Sequence, residues 1–482
     1  MNKVHRVGAI VASVPLLLLA LPVAQAVPVT PVEPEVNNAI VAAFTLAAPV
    51  GQTESGVIAR AIVPGGSRCP TLFTVAWGGV LKRTRMVERK APVTTLGAFA
   101  PLRSCTAPIP AGALQAQVGR YPIPASMPER IDRMVVFGDT GCRLKGSNFQ
   151  ACNDPDQWPL AKNVASIARE RPDLILFTGD FFYREKSCPS DLTIECGGSP
   201  PPISDPNVPF KDSAAGWLAD VFVPMAGMFS VAPIVVTRGN HEECARGGNG
   251  YFIYMDPREG TEDTCAPVPG ADDSLVVPPL EVTDSYAVDV SVRPGQDLRM
   301  AIVDSADGDE CEVSDLVDEQ RAAYVQAQEL AAESDQSWLV VHQPVAAWQP
   351  SDECAPGGSW YSADQQVGSY GLLGNYRLMV SSHIHLVQTM NIPGIPPQVV
   401  LGNGGTLLED DTPIPLPTTG PNFSVDDSYP APTSSWSDIA FGYALVRPIK
   451  HGRWLWTMKS PDGTPQKVCT LRSIAMTCRN PI

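Results

Sequence analysis

The chain has 482 residues, with 35 lysines and arginines against 51 aspartates and glutamates, and a net charge of −16. A single hydrophobic core rarely grows to this length, so we expect more than one domain. A surface this acidic repels polyanions and argues against nucleic acid as the main partner, whereas a small anionic substrate can still bind beside a metal ion.

The first residues have the pattern of a secretory signal. Lys3 and Arg6 precede an apolar run at 7–21, and the small residues "AQA" follow at 24–26. We therefore predict a signal peptide at 1–26 and export to the periplasm or the extracellular space. The alternative is a membrane anchor, but no later segment reaches the ~20 apolar residues of a spanning helix, so stable membrane insertion is not expected.

All 12 cysteines follow the predicted cleavage point. An even number in an exported chain favours disulfides over metal thiolates, and no C-x-x-C pair is present to indicate a zinc or redox site. The sequence leaves the connectivity open. Four pairs are close enough along the chain to close short loops: Cys142 with Cys152, Cys188 with Cys196, Cys244 with Cys265, and Cys469 with Cys478.

The sequence pattern changes near residue 124. Residues 27–124 contain short apolar stretches between prolines and glycines, which predicts a β-rich amino-terminal domain, and the stretch 119–132 is typical of a linker. Within 125–482, apolar strands alternate with helical patterns at 160–171, 214–229 and 315–333. This alternation predicts an α/β layered domain.

Polar side chains follow the predicted strands of this second domain. Ligands of α/β sheets bind at the carboxyl ends of the strands, so we expect these side chains to converge. Carboxylate, imidazole, phenol and amide groups together suit iron, manganese or zinc, although the spacing of the last two histidines has a simpler explanation in strand alternation. The candidate residues are Asp139, Asp180, Tyr183, Asn240, His241, His342, His383 and His385.

The order of the motifs "GDTG", "GDFFY", "GNHE", "VVH" and "SHIH" resembles the metallophosphoesterases, and specifically their purple acid phosphatase branch. The resemblance covers 134–405 and implies an αββα sandwich preceded by an all-β domain. Other members of the superfamily have a histidine where this chain has Gly141. In the purple branch the tyrosine of the second motif replaces it, which is Tyr183 here.

The resemblance further implies a dinuclear centre, with Fe(III) beside Fe(II), Zn(II) or Mn(II). Its ferric ligands would be Asp139, Asp180, Tyr183 and His385. Its divalent ligands would be Asp180, Asn240, His342 and His383, so that Asp180 bridges the two ions. Such a pair of ions holds a phosphoryl group and supplies a hydroxide for in-line attack.

The substrate side is less defined by the sequence. The resemblance places His241 at the phosphate or the leaving oxygen, and we expect Glu242 beside it to serve as an acid or orienting group. Arginines flank the motifs at Arg143, Arg184, Arg238 and Arg246, where each is either a substrate-binding group or a surface residue. Two departures from the family pattern, Leu339 and Ser382, remove no ligand.

The sequence therefore predicts a phosphomonoester hydrolase, an exported acid phosphatase of the purple type that acts on a small phosphate ester. One alternative is a phosphodiesterase or nucleotidase with the same metal centre. The other is a non-catalytic protein that binds phosphate or metal. Oligomeric state is not predicted by any of these features.

Overall fold

Two mixed β-sheets form the centre of the molecule. The computed structural model describes residues 40–90, 96–145, 148–189, 191–192, 195–196, 210–266, 268–269, 276–277, 282–293, 295–307, 317–334, 336–349, 359–361, 373–409, 418 and 430–481. The predicted signal at 1–26 lies outside these residues. In spatial order, the eleven strands of the first sheet are Ala475–Arg479, Pro465–Arg472, Arg453–Lys459, Tyr443–Ile449, Met134–Phe137, Leu174–Phe177, Ile234–Val236, Ala42–Ala47, Val57–Pro64, Leu102–Pro108 and Val87–Arg89.

The second sheet has seven strands and packs face to face with the first. In spatial order they are Tyr286–Arg293, Gln296–Val303, Ser337–Val341, Leu378–Ser381, Gln398–Leu401, Val387–Asn391 and Ser434–Asp438. Three further pairs of short strands are Leu144–Lys145 with Asn148–Phe149, Val268–Pro269 with Val276–Val277, and Ala347–Gln349 with Ser359–Tyr361.

The central strands of both sheets are parallel and buried on both faces. "MVVF", "LILF" and "IVV" run parallel in the first sheet, as their nearly continuous apolar sequences indicate. Between the sheets, side chains such as Val136 and Val235 share a core with Trp338 and Val340. The tryptophans of the carboxyl-terminal strands, Trp454 and Trp456, are buried in the same core.

Helices cover the outer faces of the sandwich. Leu160–Glu170 packs on the first sheet, and Val317–Ala332 packs on the second. The other described α-helices are the single turns Leu96–Phe99, Ala214–Trp217 and Gly248–Gly250, with 3-10 turns at Trp77–Gly79, Asn240–Glu242 and Lys450–Gly452 and π-helical turns at Leu218–Phe222 and Tyr251–Met255. The αββα arrangement predicted from the sequence is confirmed.

The predicted helix at 160–171 is confirmed, since the helix begins at Leu160 and Arg171 caps it in the left-handed conformation. The predicted helix at 214–229 is shorter than expected, because the α-helical turn Ala214–Trp217 passes into the π-helical turn Leu218–Phe222 and then into turns. None of the described helices is both long and apolar enough to cross a membrane.

The amino-terminal region is rich in β-strands, as predicted, with one α-helical turn at Leu96–Phe99, and its strands divide between two sheets. Ala42–Ala47 pairs in parallel with Ile234–Val236 and so extends the first sheet. Val57–Pro64, Leu102–Pro108 and Val87–Arg89 follow it in the same sheet, and the other four strands form a separate sheet in the order Leu81–Arg85, Thr71–Ala76, Ala113–Val118 and Tyr121–Ile123. The boundary between 27–124 and 125–482 stays a prediction, and the shared sheet makes the two segments continuous.

Five disulfides join described cysteines. Four are the predicted local pairs, Cys142–Cys152, Cys188–Cys196, Cys244–Cys265 and Cys469–Cys478. The fifth, Cys69–Cys105, joins the start of the four-stranded sheet to a strand of the first sheet.

Candidate metal centre

The polar residues singled out in the sequence meet at one edge of the sandwich. Asp139, Asp180 and Asn240 follow the parallel strands of the first sheet, and His342 follows Ser337–Val341 of the second. Because parallel strands present their carboxyl ends at the same edge, these loops lie together. The last two histidines lie in the loop after Leu378–Ser381, so strand alternation does not explain their spacing.

One cluster surrounds the Tyr183 hydroxyl. Its oxygen lies 2.5 Å from Asp180 Oδ2 and 3.2 Å from Asp139 Oδ1. On a third side, His385 Nε2 is 2.9 Å away. All four side chains are buried. A neutral phenol has a single proton to donate, so it cannot donate to all three neighbours at once. A cation at this position could bind all four groups.

A second cluster forms around the amide oxygen of Asn240. His342 Nε2 and His383 Nδ1 each lie 3.1 Å from Asn240 Oδ1. His342 Nε2 is also 3.3 Å from Asp180 Oδ2. Two nitrogens, an amide oxygen and a carboxylate form a donor set typical of a divalent transition metal.

Asp180 belongs to both clusters. The side chains of Asp139, Asp180 and His385 offer ligand atoms within 4.8 Å of one another, and so do those of Asp180, His342 and His383. This geometry is that of two adjacent cation sites that share one carboxylate. The assignment of ligands to two ions that the family resemblance implies stays a prediction.

Backbone strain is concentrated at the same residues. Asp139, Asp180 and His383 have φ angles of 56°, 59° and 72°. Non-glycine residues seldom adopt this left-handed region, and where they do the surrounding structure holds them there, often at functional sites. The loops are therefore held in conformations that direct these three side chains into the two clusters.

Ser382, one of the departures from the family pattern, has a clear role. His342 Nδ1 lies 2.8 Å from the carbonyl oxygen of Thr178 and 2.9 Å from Ser382 Oγ. With Nδ1–H donating on that side, Nε2 is the nitrogen that would bind a metal beside Asn240. A metal-binding histidine usually has its second nitrogen held in this way, so the serine supports the ligand geometry.

Glu242 does not face the clusters. Its carboxylate accepts hydrogen bonds from four backbone N–H groups at 2.8–3.0 Å, those of Gly239, Asp180, Phe181 and Phe182. The side chain is fully buried. This geometry argues against the acid role that we expected, and it favours a positioning role for the loop that carries Asp180.

His241 is paired with a residue that the sequence reasoning missed. His241 Nδ1 lies 2.5 Å from Glu185 Oε1, and its ring stacks on that of Tyr183 with 3.7 Å between centroids. Burial lowers the pKa of His241 to about 4. The only signal for Glu185 in the sequence is an acid two residues after Tyr183, which is also common on exposed loops.

The four flanking arginines have different surroundings. Arg184 and Arg238 are buried in ion pairs with Asp220 and Asp304, at 2.5 Å and 3.0 Å, so they are neither surface residues nor available to a substrate. Arg246 pairs with Glu185 and Glu243. Arg143 Nη1 lies 3.4 Å from His385 Nδ1, and its buried Nε has no partner in the described part of the chain.

Glycines allow the loops to approach one another. A Cβ on Gly239 would lie 2.0 Å from Asp180 Oδ1, and one on Gly404 would lie 2.2 Å from the Gly138 carbonyl oxygen. The "GNGG" stretch at 402–405 is thus tightly packed backbone beside Asp139, as expected, with Thr406 N donating to the Asp139 carbonyl at 2.9 Å.

The electrostatics of the metal-free site favour a cation. Burial, together with the neighbouring Asp180 carboxylate, raises the pKa of Asp139 to about 8. Burial and the same carboxylate raise the pKa of Tyr183 well above its usual value. A bound cation offsets the repulsion between such groups and stabilises their ionised forms. The residues present therefore fit a dinuclear metal centre.

Comparisons with known proteins agree with this fold. A family model described as calcineurin-like phosphoesterase matches residues 133–387, more than half of the chain. No curated protein matches. The structure of the purple acid phosphatase PPD1 from yellow lupin (Lupinus luteus) seeds is similar with a TM-score of 0.54 at 13% identity, over 90% of this chain and 74% of that one. A structure of PhoD is similar with a TM-score of 0.50 at 12% identity, over 92% of each chain.

Proposed function

The chain belongs to the calcineurin-like phosphoesterase family and is a metal-dependent phosphoric ester hydrolase, and we propose that it is an exported acid phosphatase of the purple type that cleaves small phosphate monoesters. The observation that carries this proposal is the Tyr183 hydroxyl, which lies within hydrogen-bonding distance of three candidate ligands. A phenol in this position offers a phenolate, which a trivalent ion stabilises at mild pH.

The proposed metals are Fe(III) in the cluster around Tyr183 and Fe(II), Zn(II) or Mn(II) in the cluster around Asn240. When bound, such a centre polarises the phosphoryl group and activates the attacking water. The first ion would be held by Asp139, Asp180, Tyr183 and His385, and the second by Asp180, Asn240, His342 and His383.

Two side chains beside the clusters would act on the substrate. His241 Nδ1 contacts Glu185 Oε1 at 2.5 Å, and a protonated His241 would donate from Nε2 to a phosphate oxygen or the leaving oxygen. Arg143 lies beside His385 and supplies positive charge in an otherwise acidic protein. Together they give the site a proton-handling group and an anion-binding group.

Export is supported by the disulfides between described cysteines, because disulfides persist in oxidising compartments. We therefore expect the mature protein to begin at Val27. Mass spectrometry of the mature amino terminus tests this, and a chain that retains 1–26 would contradict it.

The central experiment compares hydrolysis of a nitrophenyl phosphate monoester and the matching diester from acid to neutral pH. The proteins are wild type, Asp180→Asn, and Asp132→Asn as a control, since the Asp132 side chain is exposed and its partner among the described residues is Arg130. We expect monoester turnover at acid pH that is lost in Asp180→Asn alone. Preference for the diester would move the assignment to a phosphodiesterase with the same centre.

The ferric site is tested by visible spectroscopy. A tyrosinate bound to Fe(III) gives a visible absorption band, so the purified protein is expected to be coloured and Tyr183→Phe to lose the band. Iron analysis of both proteins separates loss of the ligand from loss of the ion. A colourless wild-type protein that contains only zinc would refute the purple type.

A further inference from the structure

Exposed apolar side chains are concentrated at one β-hairpin of the four-stranded sheet. Its strands Thr71–Ala76 and Leu81–Arg85 are joined by Trp77–Gly79. At the tip, Trp77 is 86% exposed, Val80 63% and Leu81 47%. Side chains this apolar are seldom clustered on a surface unless they meet a partner.

The same hairpin is basic although the protein is acidic. Lys82, Arg83 and Arg85 are all exposed, and no acidic residue occurs between Thr71 and Arg85. The guanidinium of Arg83 lies 5.6 Å from the centre of the Phe73 ring. A local cluster of positive charge in a chain of net charge −16 is the pattern expected for a surface that meets an anionic partner.

The hairpin is held on a rigid base. Leu72 and Thr74 point inward and are buried, and Leu72 packs in the same core as Ala59 and Ala61 of the first sheet. The disulfide Cys69–Cys105 fixes the chain just before the first strand. The tip is equally defined, since Ala76 N donates to Val80 O at 3.0 Å.

Two glycines set the shape of the tip. Gly78 and Gly79 have φ angles of 79° and 77°, a conformation that other residues adopt only with strain. The turn therefore projects Trp77 from the sheet on a short, preformed protrusion. A protrusion of this kind can enter a deformable surface such as a lipid headgroup layer, whereas a protein partner would need a matching pocket.

We propose that this hairpin, Thr71–Arg85, docks the protein reversibly on an anionic lipid surface. Trp77, Val80 and Leu81 enter the headgroup region, where tryptophan is favoured. The exposed lysine and arginines lie against the acidic headgroups, and each such contact strengthens binding. The contact needs no spanning helix and leaves the metal clusters unchanged.

The test measures co-sedimentation of the full mature chain with vesicles of phosphatidylcholine alone and of phosphatidylcholine mixed with phosphatidylglycerol. We expect binding to the mixed vesicles only, weakened by added salt. Arg83→Glu with Arg85→Glu, and separately Trp77→Ser, should each reduce the partition coefficient at least about tenfold.

Matched controls lie at the other end of the first sheet. Ile474→Ser removes an apolar side chain that is 63% exposed, and Arg472→Glu with Arg479→Glu reverses two exposed arginines. These controls should bind vesicles as wild type does. All variants should keep wild-type melting temperature and phosphatase turnover.

Three results would overturn the proposal. They are no binding to either vesicle, equal binding to both vesicles, and binding that the hairpin substitutions leave unchanged. If the protein bound no vesicles but captured a protein or a cell-wall polymer through the hairpin, the proposed lipid partner would be wrong.

Discussion

At the level of single residues, Arg143 differs from the other arginines near the clusters. Its Nη1 faces His385 Nδ1 at 3.4 Å, and its Nε has no partner among the described residues. When His385 Nε2 serves as a ligand, both facing groups are donors. A phosphate oxygen between them would accept from both, which makes Arg143 the expected anchor of the substrate.

We predict that Arg143→Ala raises KM and the inhibition constant of inorganic phosphate together, each by about tenfold or more, because a hydrogen bond to a charged group is worth about 1.5–3 kcal/mol. Arg143→Lys should recover part of the loss. Steady-state kinetics test this, with Arg169→Ala on the exposed face of Leu160–Glu170 as a control. A fall in kcat at unchanged KM would contradict a binding role.

Glu242 gives a second prediction at this scale. A glutamine offers one acceptor oxygen in place of two, and its NH2 group would oppose backbone N–H donors, so Glu242→Gln should cost about 1–3 kcal/mol of stability and lower the bound metal. The pH–rate profile of the remaining activity should be unchanged. Denaturant unfolding and metal analysis measure the loss, and a shifted acid limb of the profile would restore the acid role.

The candidate ligands could be singled out from the sequence, but the residues around them could not. Five motifs in a fixed order point to the candidate ligands because each motif is local. Glu185 acquires its role from contact with His241, and Arg184 and Arg238 become buried through acids far along the chain. Contacts of this kind depend on tertiary structure and have no local signal.

At the level of elements, the turn Asn240–Glu242 positions two loops at once. Asn240 faces the second cluster, while Glu242 binds the backbone of the loop at Asp180. This close approach depends on Gly239, where a Cβ would lie 2.0 Å from Asp180 Oδ1 and 2.3 Å from Asp180 N.

We therefore predict that Gly239→Ala separates the two loops and reduces bound metal and turnover by about a hundredfold or more, since small misplacements of reacting groups have effects of this size. Gly66→Ala is the matched control, because a Cβ there meets nothing within 4 Å. Metal content and circular dichroism would separate a misplaced site from an unfolded protein. Normal metal content in Gly239→Ala would refute the argument.

Elements with a strong local pattern were predicted well, and those shaped by neighbours were not. The helix Leu160–Glu170 agrees with its amphipathic sequence. By contrast, the segment after Ala214 has a helical composition but forms one α-helical turn and a π-helical turn. Its Asp220 carboxylate accepts from Tyr183 N and from Arg184 Nε, so tertiary contacts decide the backbone.

At the level of the whole molecule, the stability of the metal-free protein should depend on pH. Burial raises the pKa of Asp139 to about 8. Burial alone would lower that of His342, but Asp180 raises it to about 9. Between about pH 6.5 and 9 the folded protein therefore keeps protons that the unfolded chain has released.

We predict that the melting temperature of chelator-treated protein falls as the pH rises through this window, since stability decreases wherever the folded state binds more protons. A bound metal replaces those protons, so the metal-loaded protein should show a weaker dependence. Calorimetry of both forms across the window tests this. A metal-free melting temperature that rises with pH would contradict it.

The amino-terminal strands show what the sequence could not reveal at this scale. Their β character follows from composition, but Leu46 lies opposite Ile234, a partner that no local pattern identifies. Pairing across such a separation is decided by the assembled sheet. The predicted boundary near residue 124 therefore separates two sequence patterns that share one sheet.

The strand that leads to Asp139 is enclosed by segments from distant parts of the chain. Met134–Phe137 pairs on one side with Leu174–Phe177 and on the other with Tyr443–Ile449. During synthesis the strand Tyr443–Ile449 leaves the ribosome after every candidate ligand has done so. The metal centre would consequently be among the last features to be completed, so in a protein exported as proposed the ions it acquires would be those of the compartment where folding ends and not of the one where translation begins.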